Sequence, residues 1–298
     1  MSPSDTKPTR VISNRTSVWQ RVVEIWGYRE LLVGLVRKEL KVKYKNSALG
    51  FFWSMLNPAL YLVVFYVVFQ LVLKNGIPFF AIYLLSGLLV WNLFSTALNG
   101  ATVSVVSNAA IVKKVSFPRE ILAMASIGAS LVHFFLQGAV LLAALLAFRY
   151  APSPAYLPLV PVALFALLLV ACALGILLAA ANVYARDTQH LLELVLLAWF
   201  WMTPIVYQYR LVADRLEESA WLFRLNPITP IVLTFQRAVY NKVEPIAGDG
   251  SRLPILPADA GVLWYATQLG VVIVAAGALL LVALSVFGRL EGNFAEEL

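Results

Sequence analysis

Five stretches of this chain run between consecutive charged residues for 28, 38, 28, 36 and 29 positions: residues 46–73, 75–112, 121–148, 150–185 and 260–288. A helix needs roughly 20 apolar residues to cross the hydrocarbon core of a bilayer, and every one of these stretches exceeds that. A membrane barrel would show alternating segments of about 10 residues instead, a pattern the chain lacks. Apolar residues make up 61% of the chain and charged residues 13%, where a soluble domain is about a quarter charged. Too little polar surface is left to solvate a globule. The sequence predicts an all-α integral membrane protein and excludes a soluble enzyme.

A further span is expected where residues 191–209 are apolar apart from Glu193; the charge-free part, 194–209, has 16 residues, about 24 Å of helix. The six expected spans are 50–73, 79–104, 120–148, 157–181, 190–209 and 261–287. Ten Lys and Arg residues flank the span ends on one side and two, Lys74 and Arg149, lie in the short loops of the other. The positive-inside bias then puts both termini in the cytoplasm. The long connection 210–259 falls outside, with six basic and six acidic residues. Its charge-free piece 225–236 has 12 residues, among them Pro227 and Pro230. Too short to cross, it predicts short external re-entrant helices before the last span.

Ahead of the first span, residues 28–45 predict an amphipathic interface helix lying in the headgroup plane. Leu31, Leu32, Leu35, Val36, Leu40 and Val42 gather on one arc, and Glu30, Arg37, Lys38, Lys41 and Lys45 on the other. Arg29, Glu39 and Lys43 intrude on the apolar side. Residues 1–27 are left as a cytoplasmic tail and 28–298 as one transmembrane domain. The first 48 residues hold no apolar core of a signal peptide. The net charge of +7 hugs membrane-flanking segments, so anionic headgroups or an acidic partner fit it better than nucleic acid. The one cysteine, Cys172, excludes an intramolecular disulfide. His133 and His190 have no cysteine cluster around them, so no metal site is expected, and an interhelical hydrogen bond is the reading for His133.

Four stretches, in order, resemble the permease subunits of ABC exporters for polysaccharides and teichoic acids, the Wzm/TagG type. Residues 38–73, KELKVKYKNSALGFFWSMLNPALYLVVFYVVFQLVL, resemble the basic run into the first helix. Residues 111–122, IVKKVSFPREIL, look like the cytoplasmic loop between helices two and three. Residues 182–207, NVYARDTQHLLELVLLAWFWMTPIVY, match the start and end of helix five, and 225–240, LNPITPIVLTFQRAVY, the external segment before the last helix.

The resemblance implies an inner-membrane channel, paired with a second copy of itself and with two nucleotide-binding ATPase subunits. Its substrate would be a polysaccharide on a polyprenyl diphosphate lipid. None of the sixteen glycines is followed by lysine, so a P-loop cannot occur; ATP and magnesium would belong to the partner ATPase, with no cofactor in this chain. The resemblance makes Asn108, Lys113, Lys114 and Arg119, with a short helix at 108–112, the docking loop for that ATPase. Arg186 and Asp187 read either as a cap on the fifth helix or as a second coupling contact. Arg37, Lys38, Lys41, Lys43 and Lys45 would meet the diphosphate and membrane lipids. Trp53, Tyr61, Phe65, Trp199, Trp201 and Tyr207 would line the glycan channel, since sugar rings present apolar C–H faces to aromatic side chains. Asn226, Pro227 and Pro230 would form an external gate.

Two other classes are weighed. A membrane enzyme acting on polyprenyl lipids would need a carboxylate or metal cluster, and no D-x-D or H-x-x-x-D motif occurs. An ion-coupled secondary transporter would carry paired ionisable residues at mid-membrane, and only Glu193 comes near that position.

Overall fold

The computed structural model describes residues 18–45, 50, 52–72, 77–216, 222–246, 252, 255–257 and 260–298. The tail before residue 18, Phe51, and the 46–49 and 73–76 connections lie outside the described residues. So do Glu217, Glu218, Asp249 and Asp259 of the long connection.

Every regular element described is helical. The helices α1 (Val18–Gly27) and α2 (Arg29–Lys43) precede α3 (Phe52–Phe65), which continues as a π-helix over Tyr66–Val72. The sequence breaks α3 in two ways: Pro58 sits inside it, where it removes one backbone donor, and the π-helical stretch follows. Next come α4 (Phe80–Ser107), α5 (Ala109–Val112), α6 (Glu120–Ala147) and α7 (Leu159–Tyr184). The chain ends through α8 (Thr188–Trp201), α9 (Tyr209–Leu216), α10 (Leu222–Leu225), α11 (Ile228–Val239), α12 (Val262–Leu290) and α13 (Phe294–Glu297).

Among the described residues four helices, α4, α6, α7 and α12, are long and apolar enough to cross a membrane. They match the expected spans at 79–104, 120–148, 157–181 and 261–287 to within a few residues, because a charge-free run of that length must make its backbone bonds internally. The expected span at 190–209 is shorter than foreseen. α8 stops at Trp201 after 14 residues, about 21 Å of helix. Pro204 explains the stop, since proline cannot continue a helix and disfavours the helical region for the residue before it.

α4 is the centre of the bundle, buried at every position from Phe80 to Val90 and packed on α6, α7, α8 and α11. α11, the proline-containing stretch expected to re-enter, is buried on nearly all sides against α4, α7 and α12. α2 climbs along α6 from Val36, whose Cγ2 lies 2.9 Å from where a Cβ on Gly128 would stand, up to Lys43 beside His133. α1 and the C-terminal end of α12 meet at one end of the bundle, called the terminal end: Arg21 of α1 pairs with Glu291, just past α12.

Candidate functional site

At the terminal end a buried charge cluster ties three helices together. Arg21 enters from α1, and its Nε lies 2.7 Å from a carboxylate oxygen of Glu120, the first residue of α6. The same guanidinium pairs with Glu291 beyond α12. The Arg21 and Glu120 side chains are only 8% and 0% exposed, so neither charge has water to fall back on. Gly288 makes this possible, because a Cβ there would fall on the Arg21 guanidinium. Arg119 donates to the Glu291 carbonyl and lies over the Phe294 ring, 5.8 Å from its centroid. Beside this cluster opens a cleft of about 490 Å³, lined by Glu24, Lys113, Lys114, Arg119 and Glu291 among others. Lys113 and Lys114 are exposed on it. The short helix expected at 108–112 is present as α5, with Asn108 at its N-cap position.

A second cleft, about 410 Å³, lies between α2, α4 and α6. Lys38 Nζ donates to Asn108 Oδ1 at 2.8 Å, so the structure joins a residue of the basic flank to one of the loop between α4 and α6. Ser126 Oγ donates to Glu39 at 2.8 Å. His133 bridges Lys43 Nζ at 3.1 Å and the Tyr44 hydroxyl at 2.9 Å; it is the interhelical hydrogen bond expected of it. Burial pulls the Lys43 ammonium below the ordinary lysine value, with Glu39 opposing. Two of the intruders on the apolar arc of α2, Glu39 and Lys43, thus face this cleft beside Lys38 and Val42. Arg37, Lys41 and Lys45 are exposed.

The six aromatic residues expected to share a channel fall into separate sets. Tyr61 and Phe65 of α3 start a ladder: Tyr61 to Phe65 at 6.0 Å, Phe65 to Phe69 at 5.6 Å, Phe69 to Phe80 at 4.9 Å. Trp199 instead packs on Phe94 at 5.1 Å, and Trp201 on Phe200 at 5.4 Å. Trp53 is exposed. Tyr83 connects the sets, its ring 5.9 Å from Phe80 and its hydroxyl donating to the Tyr207 carbonyl at 2.8 Å. Tyr207 in turn donates to the Trp201 carbonyl at 3.0 Å.

Asn226 is the knot of the far half. Its Oδ1 accepts from Trp199 Nε1 at 2.8 Å and from the Ile228 amide at 3.0 Å, while its Nδ2 donates to Thr203 Oγ1 at 2.9 Å. One side chain therefore holds the end of α8, the bend after it and the start of α11. Pro227 occupies the α11 N-cap position, and Pro230 sits in its first turn, where the missing N–H would be unsatisfied anyway. Asn226→Leu keeps the volume and removes all three bonds. It is expected to cost about 1–3 kcal/mol, read as a lower melting temperature in detergent. Combining it with Trp199→Phe should cost less than the two separate losses together, as it does for residues sharing one bond.

Arg186 and Asp187 are both exposed. Asp187 holds the N-cap position of α8 but makes no side-chain cap bond. Sequence reasoning missed Arg21, Glu120, Glu291 and Gly288 altogether, since nothing local marks partners up to 270 positions apart. It also missed a box at the far end, where Lys242 Nζ lies 5.0 Å from the Phe79 ring centroid and 5.7 Å from that of Tyr150.

Compared with known protein families, residues 30–240 match the ABC-2 type transporter family. The chain is similar to the O-antigen export system permease protein RfbA of Myxococcus xanthus, 34% identical over 248 residues that cover 83% of this chain and 93% of that one. A protein of the same name from Klebsiella pneumoniae is 27% identical over 267 residues, 90% of this chain and 94% of the relative.

Proposed function

This chain belongs to the ABC-2 type transporter family, and we propose from that membership that it is the membrane permease subunit of an ATP-driven polysaccharide exporter. The observation that carries the reading is the likeness to an O-antigen export permease along 93% of that relative's length. The substrate is a polysaccharide on a polyprenyl diphosphate lipid, moved outward across the inner membrane. Two copies of the chain work with two ATPase subunits, which hold the ATP and magnesium.

In this reading α3 with its π-helical extension and α8 serve as first and fifth spans. The 21 residues of Phe52–Val72 reach about 30 Å. The shorter α8 is completed by α9 to α11, which re-enter from outside, and both termini lie in the cytoplasm. The cleft with Lys113, Lys114 and Arg119 receives the ATPase, with Asn108 at the start of the short helix α5 that leads to those lysines and Arg186 and Asp187 at the α7–α8 junction. ATP drives the permease only if closure of the ATPase pair binds one position of that loop better than another. Arg37, Lys38, Lys41, Lys43 and Lys45 meet the diphosphate. The α3 ladder and the α8 aromatics offer ring faces along which a glycan slides without a fixed register.

The test is co-expression with a nucleotide-binding subunit of this transporter class encoded beside the gene. ATP hydrolysis is expected from the purified pair and not from this chain alone, and deletion of the gene should strip polysaccharide from the cell surface and leave it lipid-linked inside. Saturable hydrolysis by the isolated chain, or unchanged surface polysaccharide in the deletion strain, would overturn the proposal.

A further inference from the structure

Trp19, Val22, Val23 and Trp26 of α1 stand at positions i, i+3, i+4 and i+7, one stripe of a helix. All four are exposed, the two tryptophans by 74% and 72%. Arg21 and Glu24 lie on the opposite side, Arg21 in the buried cluster and Glu24 on the cleft beside it. α1 thus turns its polar face inward and its apolar face out, the reverse of a helix on a soluble protein.

The position of α1 on α12 identifies what that face meets. Val274, Leu281 and Gly288 recur every seven residues and so share one stripe of α12, with a drift of only about 20° per heptad. Val274 is 74% and Leu281 55% exposed, in a helix apolar enough to cross a membrane; that stripe faces lipid. Gly288, at its foot, is the residue on which Arg21 rests. α1 therefore crosses the base of a lipid-facing surface on the perimeter of the bundle, at the depth where α12 reaches its first charges, Arg289 and Glu291. Tryptophans at both ends of such a helix match the preference of indole rings for the headgroup level. The exposed Arg29, Arg37 and Lys41 on α2 add the charge that anionic headgroups attract.

We infer that the Trp19–Val22–Val23–Trp26 face of α1 is a membrane-binding surface, seated among the lipid headgroups of the leaflet where α12 ends. The inference does not depend on the exported substrate. It divides α1 into two working faces: the apolar one holds the helix in the headgroup layer, and Arg21 transmits that position to α6 and α12. α1 then acts as a strap that fixes the height of the terminal end in the bilayer.

The test uses the full chain in a Cys172→Ser background with single cysteines from Trp19→Cys, Val23→Cys, Trp26→Cys or Glu24→Cys. Each is labelled with an environment-sensitive fluorophore and reconstituted into phosphatidylcholine–phosphatidylglycerol vesicles. Labels at 19, 23 and 26 should be quenched several-fold more by lipids spin-labelled near the headgroup than the label at 24, and several-fold less by aqueous iodide. Equal quenching at all four positions would overturn the inference. So would protection from iodide that arises only when an ATPase subunit is added, marking a protein-docking face, or only at high protein density, marking a contact between copies. The labelled positions are all exposed, and the melting temperature of each labelled protein checks that the fold is retained.

Discussion

Arg21→Ala is expected to be the most destabilising single substitution at the terminal end, at about 3–5 kcal/mol, the range for breaking a buried ion pair from one side. The loss comes less from the bond than from what remains: a Glu120 carboxylate with no exposed surface and a Glu291 deprived of its partner. Arg21→Lys should recover part of it, since an ammonium keeps the charge but cannot present two nitrogens in a fixed fork to two acids. Gly288→Ala should destabilise too, but less than Arg21→Ala, because its methyl displaces the guanidinium, the end of a flexible side chain, without removing its charge. Thermal melting of detergent-purified protein reads all three. An unchanged melting temperature in both Arg21→Ala and Gly288→Ala would show that the cluster contributes no net stability.

Reversing both cleft lysines, Lys113→Glu with Lys114→Glu, is expected to weaken capture of the ATPase subunit by about tenfold or more, which corresponds to about 1.4 kcal/mol or more. Like charges facing each other across an interface cost several kcal/mol, and the reversal also sets two new acids beside Glu24 and Glu291 in one cleft. Because both lysines are exposed, the variant should insert and melt as the parent does. Co-purification and stimulated hydrolysis are the measurements. If both stay at parental levels, the lysines serve only to orient the chain in the membrane, and the ATPase docks elsewhere.

The long helices were legible in the sequence because a bilayer admits few alternatives: a charge-free run of 28 or more residues must be helical to satisfy its own backbone. The end of α8 was legible too, at Pro204, but the apolar residues on to Tyr209 outweighed it. Composition reports what a segment tolerates around it; proline reports what its backbone can do. Glu39 and Lys43 show another limit. On a helical wheel they blemish an amphipathic face, and only the cleft between α2, α4 and α6 turns them into partners of Ser126 and His133. The aromatic residues show a third limit, since proximity along α3 or α8 says nothing of which neighbours their rings meet. Only the fold shows that Trp199 packs on Phe94 and donates its N–H to Asn226. The charge cluster was the least legible. Arg21, Glu120 and Glu291 look like scattered surface charges until three helix ends are brought together.

The bend at residues 203–207 has a mechanical consequence. A helix resists being parted because its bonds are in series and fail cooperatively. This stretch has no such ladder; separate side-chain bonds hold it and its flanks, from Tyr83 to the Tyr207 carbonyl, from Gln236 to the Pro204 carbonyl, from Asn226 to Thr203, and from the Trp199 N–H to Asn226. Each contributes about 0.5–1.5 kcal/mol, so the four together amount to a few kcal/mol, the scale that separates two populated states of a protein. Losing any one of these bonds would leave every turn of α4, α8 and α11 wound, so strain at the bend need not spread into the helices it joins.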